Sequence, residues 1–247
     1  MIIDCISDLH GNYPRLEGGD LLIIAGDLTR TGERAEFEKF FSEWLVRADY
    51  KKKIFIAGNH DNALVGWNGY DSKFFQNVSY LCDSGTEFEY DDGTGLELEE
   101  CGMHPGCAIT TYKIWGSPWT KKFPGMNPNC MAFTVDTDEE LAEKWKLIPD
   151  DIDILITHSP PFFSLDEVKG EWDEENDKFF IESVGSFSLE EAVTRIKPSL
   201  HVFGHIHENG GQILHLVHLD KSLTTQVNAS HVNERYEPVN KPIRIEL

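Results

Sequence analysis

Histidine, aspartate and asparagine side chains recur in this sequence where apolar runs end. The stretch HVFGHIHENGG, residues 201–211, contains three histidines, and His205 and His207 lie one residue apart behind a glycine. Neutral imidazole nitrogen binds divalent transition metals well, so this pair could belong to a metal site. A strand with polar residues at its end would give the same pattern. The segment alone favours neither alternative, because a metal site needs further ligands.

Four other segments supply further side chains that bind metals. DLH, GDL, GNHD and THSPP each follow an apolar run of strand length. With the histidine pair, the candidate ligands are Asp8, His10, Asp27, Asn59, His158, His205 and His207. Two aspartates, four histidines and one asparagine are too many for a single ion, but with one bridging aspartate they provide four protein ligands to each of two. The set predicts a binuclear site whose imidazoles suit zinc, manganese, iron or nickel better than calcium or magnesium.

Five apolar runs precede these residues and predict buried strands. The runs MIIDCIS, LLIIAG, IFIAG, IDILIT and LHVFG lead into Asp8, Asp27, Asn59, His158 and His205, respectively. Continuous Val, Ile and Leu runs are typical of strands covered on both faces, and α/β folds gather their sites where such strands end. We therefore expect the five strand ends to converge on one place.

Between these runs the sequence predicts helices. One apolar face with helical spacing consists of Phe37, Phe40, Phe41, Trp44, Leu45 and Ala48. Two capping boxes, Thr137 with Glu140 and Ser188 with Glu191, predict the starts of two further helices, and Pro198 closes the second. Strands alternating with helices predict an α/β fold.

The remaining segments predict mostly strands and loops. TEFEY, DDGTG and LELEE predict a β-hairpin around residues 86–108, as an excursion from the sheet. GQILHL, SLTTQV and PIRIEL predict strands in the last part of the chain. Residues 162–186, which include EWDEEND, show no clean period and are predicted to form a solvated loop.

The composition limits the size of the fold and the choice of partner. A chain of 247 residues can fold around one core, so we expect a single domain over residues 1–247. Acidic residues number 43 and basic residues 22, which gives a formal charge of −21. That charge repels long nucleic acids and anionic membranes, and neither is expected as a partner. A small phosphorylated substrate stays compatible, because bound cations can reverse the field within one pocket.

The cysteines and the first residues predict a cytoplasmic location. The five cysteines form no obvious disulfide pattern, and the chain begins without a basic segment followed by an apolar one. No apolar window is long enough to cross a membrane. The stretch CGMHPGC could offer Cys101, His104 and Cys107 to a zinc ion, but such a site needs a fourth ligand, and an ordinary reduced loop is favoured.

Taken in order, the ligand segments resemble the calcineurin-like metallophosphoesterases. The pattern DxH, GDxx, GNH[DE], H and GHxH of that family is present in full from Asp8 to His207. GSPWT, DILITHSPP, HVFGHIHE and VNAS are similar to its small metallophosphoesterase-domain branch, some members of which are similar to class III cyclic-nucleotide phosphodiesterases. The resemblance implies an α/β fold, a four-layer α/β/β/α sandwich of two mixed sheets flanked by helices.

The resemblance also implies a division of roles within the site. Asp27 would bridge two metal ions. One ion would be held by Asp8, His10, Asp27 and His207, and the other by Asp27, Asn59, His158 and His205. His60 would hold no metal, so it is the candidate to stabilise the transition state or protonate the leaving group, with Asp61 orienting its imidazole.

The predicted reaction is hydrolysis of a small phosphodiester, with cyclic nucleotides as candidate substrates. Two cations would generate hydroxide from a shared water and hold the phosphoryl oxygens during its attack on phosphorus. Two alternatives stay open. A non-catalytic metal-binding scaffold would be expected to have eroded ligands, and none is eroded here. A phosphoprotein phosphatase would need a large open groove.

Other histidines and aromatic residues give weaker signals. The histidines expected to be packing or surface residues are His104, His201, His215, His218 and His231. The aromatic residues that could stack a nucleobase are Trp67, Trp115, Trp119, Phe162, Phe163 and Trp172. Such residues are more often part of a core or a rim, and we expect the same here.

Overall fold

Two mixed β-sheets organise the protein. The computed structural model describes residues 1–67, 77–91, 109–173 and 176–247. The first sheet consists of β1 (Ile2–Ile6), β2 (Gly19–Ala25), β3 (Tyr50–Ile56), β4 (Val78–Tyr80) and β15 (Ile243–Glu246). Its order is β15-β1-β2-β3-β4, in which β1 to β4 run parallel and β15 pairs with β1 in the antiparallel sense.

The second sheet contains six strands. They are β5 (Ser84–Asp91), β6 (Ile109–Ser117), β9 (Ile154–Thr157), β12 (Leu200–Phe203), β13 (Gln212–Val217) and β14 (Leu223–Asn228). The order is β13-β14-β12-β9-β6-β5, with four parallel strands in the middle and an antiparallel strand at each edge. Two small ribbons pair β7 (Thr120–Lys121) with β8 (Thr134–Val135) and β10 (Glu167–Asp173) with β11 (Lys178–Ser183).

In the part of the chain that the structure describes, three α-helices pack on the sheets. They are α1 (Arg34–Lys39), α2 (Asp138–Trp145) and α3 (Phe187–Ile196). The first continues into a wider π-helical turn over Phe40–Leu45, so the predicted apolar helix face is present. None of the described helices has the length and apolarity needed to cross a membrane.

One of the two predicted capping boxes is correct. At the start of α2, Thr137 accepts from the backbone N–H of Glu140, and the Glu140 side chain accepts in return from the backbone N–H of Thr137. The predicted box of Ser188 and Glu191 is wrong, because Ser186 caps α3. Ser188 is instead held by α2, where Asp138 accepts its backbone N–H at 2.8 Å.

The two sheets pack face to face, and helices cover their outer faces. Ile23 and Ile56 of the first sheet share a central core with Ile154 and Val202 of the second. The outer clusters contain Leu22, Ile24, Phe37, Phe40 and Phe55 on the side of α1, and Leu141, Trp145, Leu155, Leu189 and Ile196 on the side of α2 and α3. The layers are therefore α/β/β/α, and the five strands expected from apolar runs are all present because each is buried on both faces.

Two predictions about connecting segments need correction. Residues 162–186 contain the ribbon of β10 and β11, where the prediction was a loop. Hydrogen bonds between its two strands hold the ribbon together, and Trp172 contacts Phe179 with ring centroids 4.8 Å apart. Because the stability of the ribbon does not depend on burying one face, its sequence lacks the alternation of apolar and polar residues that predicts a strand. TEFEY is not an excursion, because it lies in edge strand β5 and places Phe88 in the central core.

Residues 92–108 of the expected hairpin lie outside the described residues. Cys101, His104 and Cys107, the alternative zinc ligands, lie there as well. The described cysteines Cys5, Cys82 and Cys130 form no disulfide.

Candidate metal centre

The candidate ligands lie together where strands of both sheets end. Asp8 and His10 follow β1, Asp27 follows β2 and Asn59 follows β3, while the histidines of the second sheet follow β9 and β12. Backbone hydrogen bonds join these loops, since Asp8 donates to the Gly26 carbonyl at 3.0 Å. The expected convergence of five strand ends therefore occurs, with three strands from one sheet and two from the other.

Several of these loops require an uncommon backbone conformation. Asp8, His10, Asp27 and His205 have positive φ angles of 51°, 42°, 51° and 70°. Aspartate and histidine tolerate this left-handed region better than most side chains, but each such residue still costs energy. Their occurrence at four candidate ligands indicates that the surrounding structure enforces the geometry of the site.

Asp8, His10 and His207 form the first group of ligand atoms. The Nε2 atom of His207 lies 3.2 Å from Asp8 Oδ1, and Nε2 of His10 lies 3.9 Å from the same oxygen. The two Nε2 atoms face each other at 3.4 Å. Asp27 joins them, with its Oδ2 3.6 Å from His10 Nε2.

Asp27 also belongs to the second group, with His158 and Asn59. Nε2 of His158 lies 3.5 Å from Asp27 Oδ1 and 3.2 Å from Asn59 Oδ1. The Nδ1 atom of His158 contacts the Ala25 carbonyl at 2.9 Å, which assigns the proton to Nδ1 and leaves Nε2 for a metal. His205 lies at the margin, where its ring is 4.9 Å from that of His158.

Among the described residues there are three sets of three ligand atoms in which all three atoms lie within 4.8 Å of one another. They are Asp8 with His10 and His207, Asp8 with Asp27 and His158, and His10 with Asp27 and His60. Asp8, His10 and Asp27 each belong to two of these sets, so the three sets form one connected cluster. His205 belongs to none of them.

Glycines before two ligands allow this close approach. A Cβ atom at Gly204 would lie 2.0 Å from Asp8 Oδ2 and 2.2 Å from Ser7 Oγ. At Gly58 it would lie 2.2 Å from Asp27 Oδ1. At both glycines, the group approached is the carboxylate of a candidate ligand.

The electrostatics of the centre favour positive charge. Burial opposes ionisation of Asp8 and Asp27, but contacts with His207 and His158, respectively, outweigh it and hold the pKa of each carboxyl below its usual range. Burial likewise disfavours protonation of His158, yet the charge of Asp27 raises its pKa to about 9. Burial lowers the pKa of His10 to about 4, so this imidazole is neutral and able to bind a metal.

The donor set fits divalent transition metals. Two buried carboxylates face imidazole nitrogens across gaps of 3.2 to 3.9 Å, and two imidazole Nε2 atoms point at each other. Neutral imidazoles with carboxylates and an amide oxygen suit zinc, manganese, iron and nickel.

His60 and Asp61 lie in the site with partners that differ from the expectation. Asp61 does not orient the imidazole of His60, because its carboxylate accepts from Thr29 Oγ1 at 2.7 Å and from the backbone N–H groups of Leu28, Thr29 and Gly58. It therefore ties the loop after β2 to the loop after β3. The Nδ1 atom of His60 instead contacts the Arg30 carbonyl at 2.8 Å.

Sequence reasoning missed two residues near the ligands. Ser230 donates to Asp8 Oδ2 at 2.8 Å and so helps to orient that carboxylate. It is the serine of VNAS, a stretch that the resemblance singled out without a role. Tyr236 covers the centre, with its ring 4.8 Å from His10 and 5.2 Å from His207. No spacing in the sequence marked it.

Three of the histidines expected to be packing or surface residues contact hydroxyl or carbonyl oxygens outside the ligand cluster. His201 contacts Thr157 Oγ1 at 2.8 Å, His218 contacts Thr224 Oγ1, and His231 contacts the Asn240 carbonyl. Among the aromatic residues, Trp67 and Trp119 pack against buried clusters, whereas Trp172 is exposed on its ribbon.

The arrangement can be compared with known proteins. A model of the calcineurin-like phosphoesterases matches residues 1–209, a range that includes every candidate ligand. The chain belongs to this family. Metallophosphoesterase domain-containing protein 1 of Homo sapiens is 37% identical to it over 253 residues, which cover 98% of the chain and 70% of the human protein. UPF0046 protein K07C11.7 of Caenorhabditis elegans is 32% identical and covers 97% of the chain and 72% of its own length.

A solved structure shows the same fold. TT1561 of Thermus thermophilus superposes with a TM-score of 0.51 at 15% identity, covering 98% of this chain and 97% of that protein. Together, the family and the clustered side chains support metal-dependent phosphoester hydrolysis.

Proposed function

We propose that the protein is a phosphodiesterase that hydrolyses small phosphodiesters and depends on two divalent transition-metal ions. Cyclic nucleotides are candidate substrates. The observation that carries the proposal is the convergence of carboxylate and imidazole atoms within 4.8 Å at strand ends of both sheets. Membership in the phosphoesterase family supports the reaction type.

The proposed ligands divide around Asp27. Asp8, His10, Asp27 and His207 would hold one ion, and Asp27, Asn59, His158 and His205 would hold the other. Manganese, iron, zinc and nickel all suit this donor set. When bound, such ions polarise phosphoryl oxygens, lower the pKa of coordinated water and neutralise charge that develops on the phosphate.

The chain contributes orientation and proton transfer. His60 donates through Nδ1 to the Arg30 carbonyl, which leaves Nε2 to face the site. Its ring lies 4.5 Å from that of His10, next to the proposed first ion. The neutral ring can only accept at Nε2, so transfer of a proton to the leaving oxygen requires the imidazolium form.

The net charge and the cysteine thiols support a proposal for the partner and the location. We propose a small phosphoester as the substrate and neither long nucleic acid nor membrane as a partner, because the formal charge is −21. The described cysteines form no disulfide, which supports a reducing compartment such as the cytoplasm.

Steady-state kinetics test this function. The purified protein, reconstituted with manganese, would be assayed on bis(4-nitrophenyl) phosphate, 4-nitrophenyl phosphate, cyclic nucleotides and a phosphopeptide. We expect preference for diesters, loss of activity on chelation and inactivity of Asp27→Asn, whereas the exposed control Asp49→Asn stays active. Metal binding without turnover of any ester would favour a scaffold, and preference for the phosphopeptide would favour a protein phosphatase.

A further inference from the structure

A small cavity of about 340 Å³ opens beside the candidate metal centre. Its lining includes His10, a candidate ligand, and Tyr236. Three basic side chains, those of Arg30, Lys39 and Arg235, line the rest together with polar and aromatic groups. The cavity also adjoins His60, because the Arg30 carbonyl contacts the His60 imidazole at 2.8 Å.

The charge of this cavity is opposite to that of the whole protein. The chain has 43 acidic and 22 basic residues, yet the cavity contains three cations and the single carboxylate of Glu36. Glu36 is occupied, since its Oε2 accepts from the Thr31 backbone N–H at 2.8 Å and from Thr31 Oγ1 at 3.0 Å. Two positive charges remain in excess, which would balance the two negative charges of a phosphate dianion.

The three cations are available to a ligand. Within the described ranges, no carboxylate forms an ion pair with Arg30, Lys39 or Arg235. Lys39 instead lies over an aromatic ring, with its Nζ 5.9 Å from the centroid of Tyr13. Unpaired arginines are suited to a phosphate, because the guanidinium offers two parallel N–H groups.

Tyr236 also lines a second cavity, which differs in chemistry from the basic one. The second cavity, of about 620 Å³, reaches the centre at His205 and His207. Its wall includes the apolar residues Phe123, Pro124, Val168 and Val184. Two cavities therefore reach the centre and share Tyr236. One is basic and includes His10, and the other is mainly apolar by area, although its wall also includes two lysines and two glutamates.

We propose that the basic cavity binds a second phosphate group of the substrate. The substrate class is then a small phosphodiester with an additional terminal phosphate, which lies among Arg30, Lys39 and Arg235 while the scissile phosphate lies at the metal centre. The organic substituent on the other side of the scissile phosphate lies in the apolar compartment. This inference rests on the proposed phosphodiesterase function and names its substrate class.

A matched pair of chromogenic diesters tests the inference. Thymidine 5′-(4-nitrophenyl) phosphate lacks a second phosphate, and its 3′-phosphorylated derivative differs from it only in that group. We expect kcat/KM about tenfold higher for the phosphorylated probe, mainly through a lower KM. The double variant Arg30→Gln with Arg235→Gln should bring this ratio close to one, and the control Arg47→Gln, an exposed arginine away from the cavity, should keep it.

Calorimetry provides a readout that does not need turnover. Thymidine 3′,5′-bisphosphate should bind the wild-type protein about tenfold more tightly than thymidine 5′-monophosphate, and the double variant should lose the difference. Equal hydrolysis of both chromogenic probes and equal binding of both nucleotides would overturn the second-phosphate site and leave the phosphodiesterase function intact. Absence of hydrolysis with selective bisphosphate binding would instead refute the proposed function and support the basic site.

Discussion

At the scale of single residues, the site depends on side chains held in place by hydrogen bonds to the backbone. Asp8 illustrates this, because its carboxylate accepts from the backbone N–H of His205 at 3.0 Å and from Ser230 Oγ at 2.8 Å. Asp27 similarly accepts from the backbone N–H of His60 at 2.8 Å. These bonds favour the ionised carboxylates before any ion binds, which lowers the cost of ordering the site.

His60 is the histidine whose removal should separate metal binding from catalysis. We expect His60→Ala to keep the metal content of the wild type and to lose turnover by about 10²- to 10⁴-fold, the range of general acid catalysis. The loss should be larger for nucleoside leaving groups than for 4-nitrophenolate, which needs no proton. Metal analysis and kcat for both ester types check this, with His215→Ala on edge strand β13 as control. Loss of metal from His60→Ala would show that His60 is a ligand instead.

His201 should make the protein sensitive to acid. Burial lowers its pKa to about 3 from an ordinary value of 6.5. Between these two pH values, His201 is therefore protonated in the unfolded chain and neutral in the folded protein. Its contribution to stability is complete above pH 6.5 and is lost as the pH falls toward 3, at up to about 1.4 kcal/mol per pH unit. Urea unfolding of metal-loaded protein at pH 7 and pH 5 should show a shallower loss for His201→Gln. Parallel losses in both proteins would contradict this assignment.

At the scale of elements, the close approach of strand ends is the feature that places the ligands. Gly204→Ala at the end of β12 would bring Cβ within 2.0 Å of Asp8 Oδ2 and so displace a candidate ligand. We expect at least about tenfold weaker metal binding and about 1 to 3 kcal/mol lower stability, as for an overpacked core. Gly85→Ala on edge strand β5 is the control, because its nearest neighbour would lie 3.2 Å away. Equal effects of the two substitutions would count against a specific role of Gly204.

Helices and strands could be predicted from the sequence where burial requires an apolar run or where a capping box begins a helix. Strands β1, β2, β3, β9 and β12 were predictable because they are covered on both faces, which requires unbroken apolar runs. The ribbon of β10 and β11 was not predictable, because exposed strands carry no such run. Ser188 and Glu191 matched a capping box by spacing, but a contact between α2 and α3 decided which serine caps the helix. Long-range contacts of this kind leave no mark on a single segment.

In the candidate metal centre, too, residues in local motifs could be predicted, whereas residues brought in by long-range contacts could not. The ligand segments share recognisable spacing, whereas Tyr236 and Arg235 lie on a loop that reaches the centre only after the chain has folded. Ser230 reaches Asp8 across 222 positions of sequence. The groups that line the cavities beside the centre could therefore not be identified from sequence patterns.

At the scale of the whole molecule, net charge should limit the size of the substrate. The formal charge of −21 repels a polyanion along the whole length of the polyanion. A small ester is repelled much less, because at physiological salt the surface charges are screened beyond about 8 Å. We expect at least about tenfold lower kcat/KM for a long single-stranded oligonucleotide than for small diesters, with the gap narrowing as salt rises. Assays at low and moderate ionic strength check this. Efficient cleavage of the oligonucleotide at low salt would favour a nuclease.

The number of metal ions per chain tests the central claim most directly. The protein would be stripped of metal, reconstituted with manganese, desalted and analysed by inductively coupled plasma mass spectrometry against its protein concentration. A binuclear centre bridged by Asp27 predicts a value close to two ions per chain. A value of one or none after reconstitution would contradict the binuclear centre.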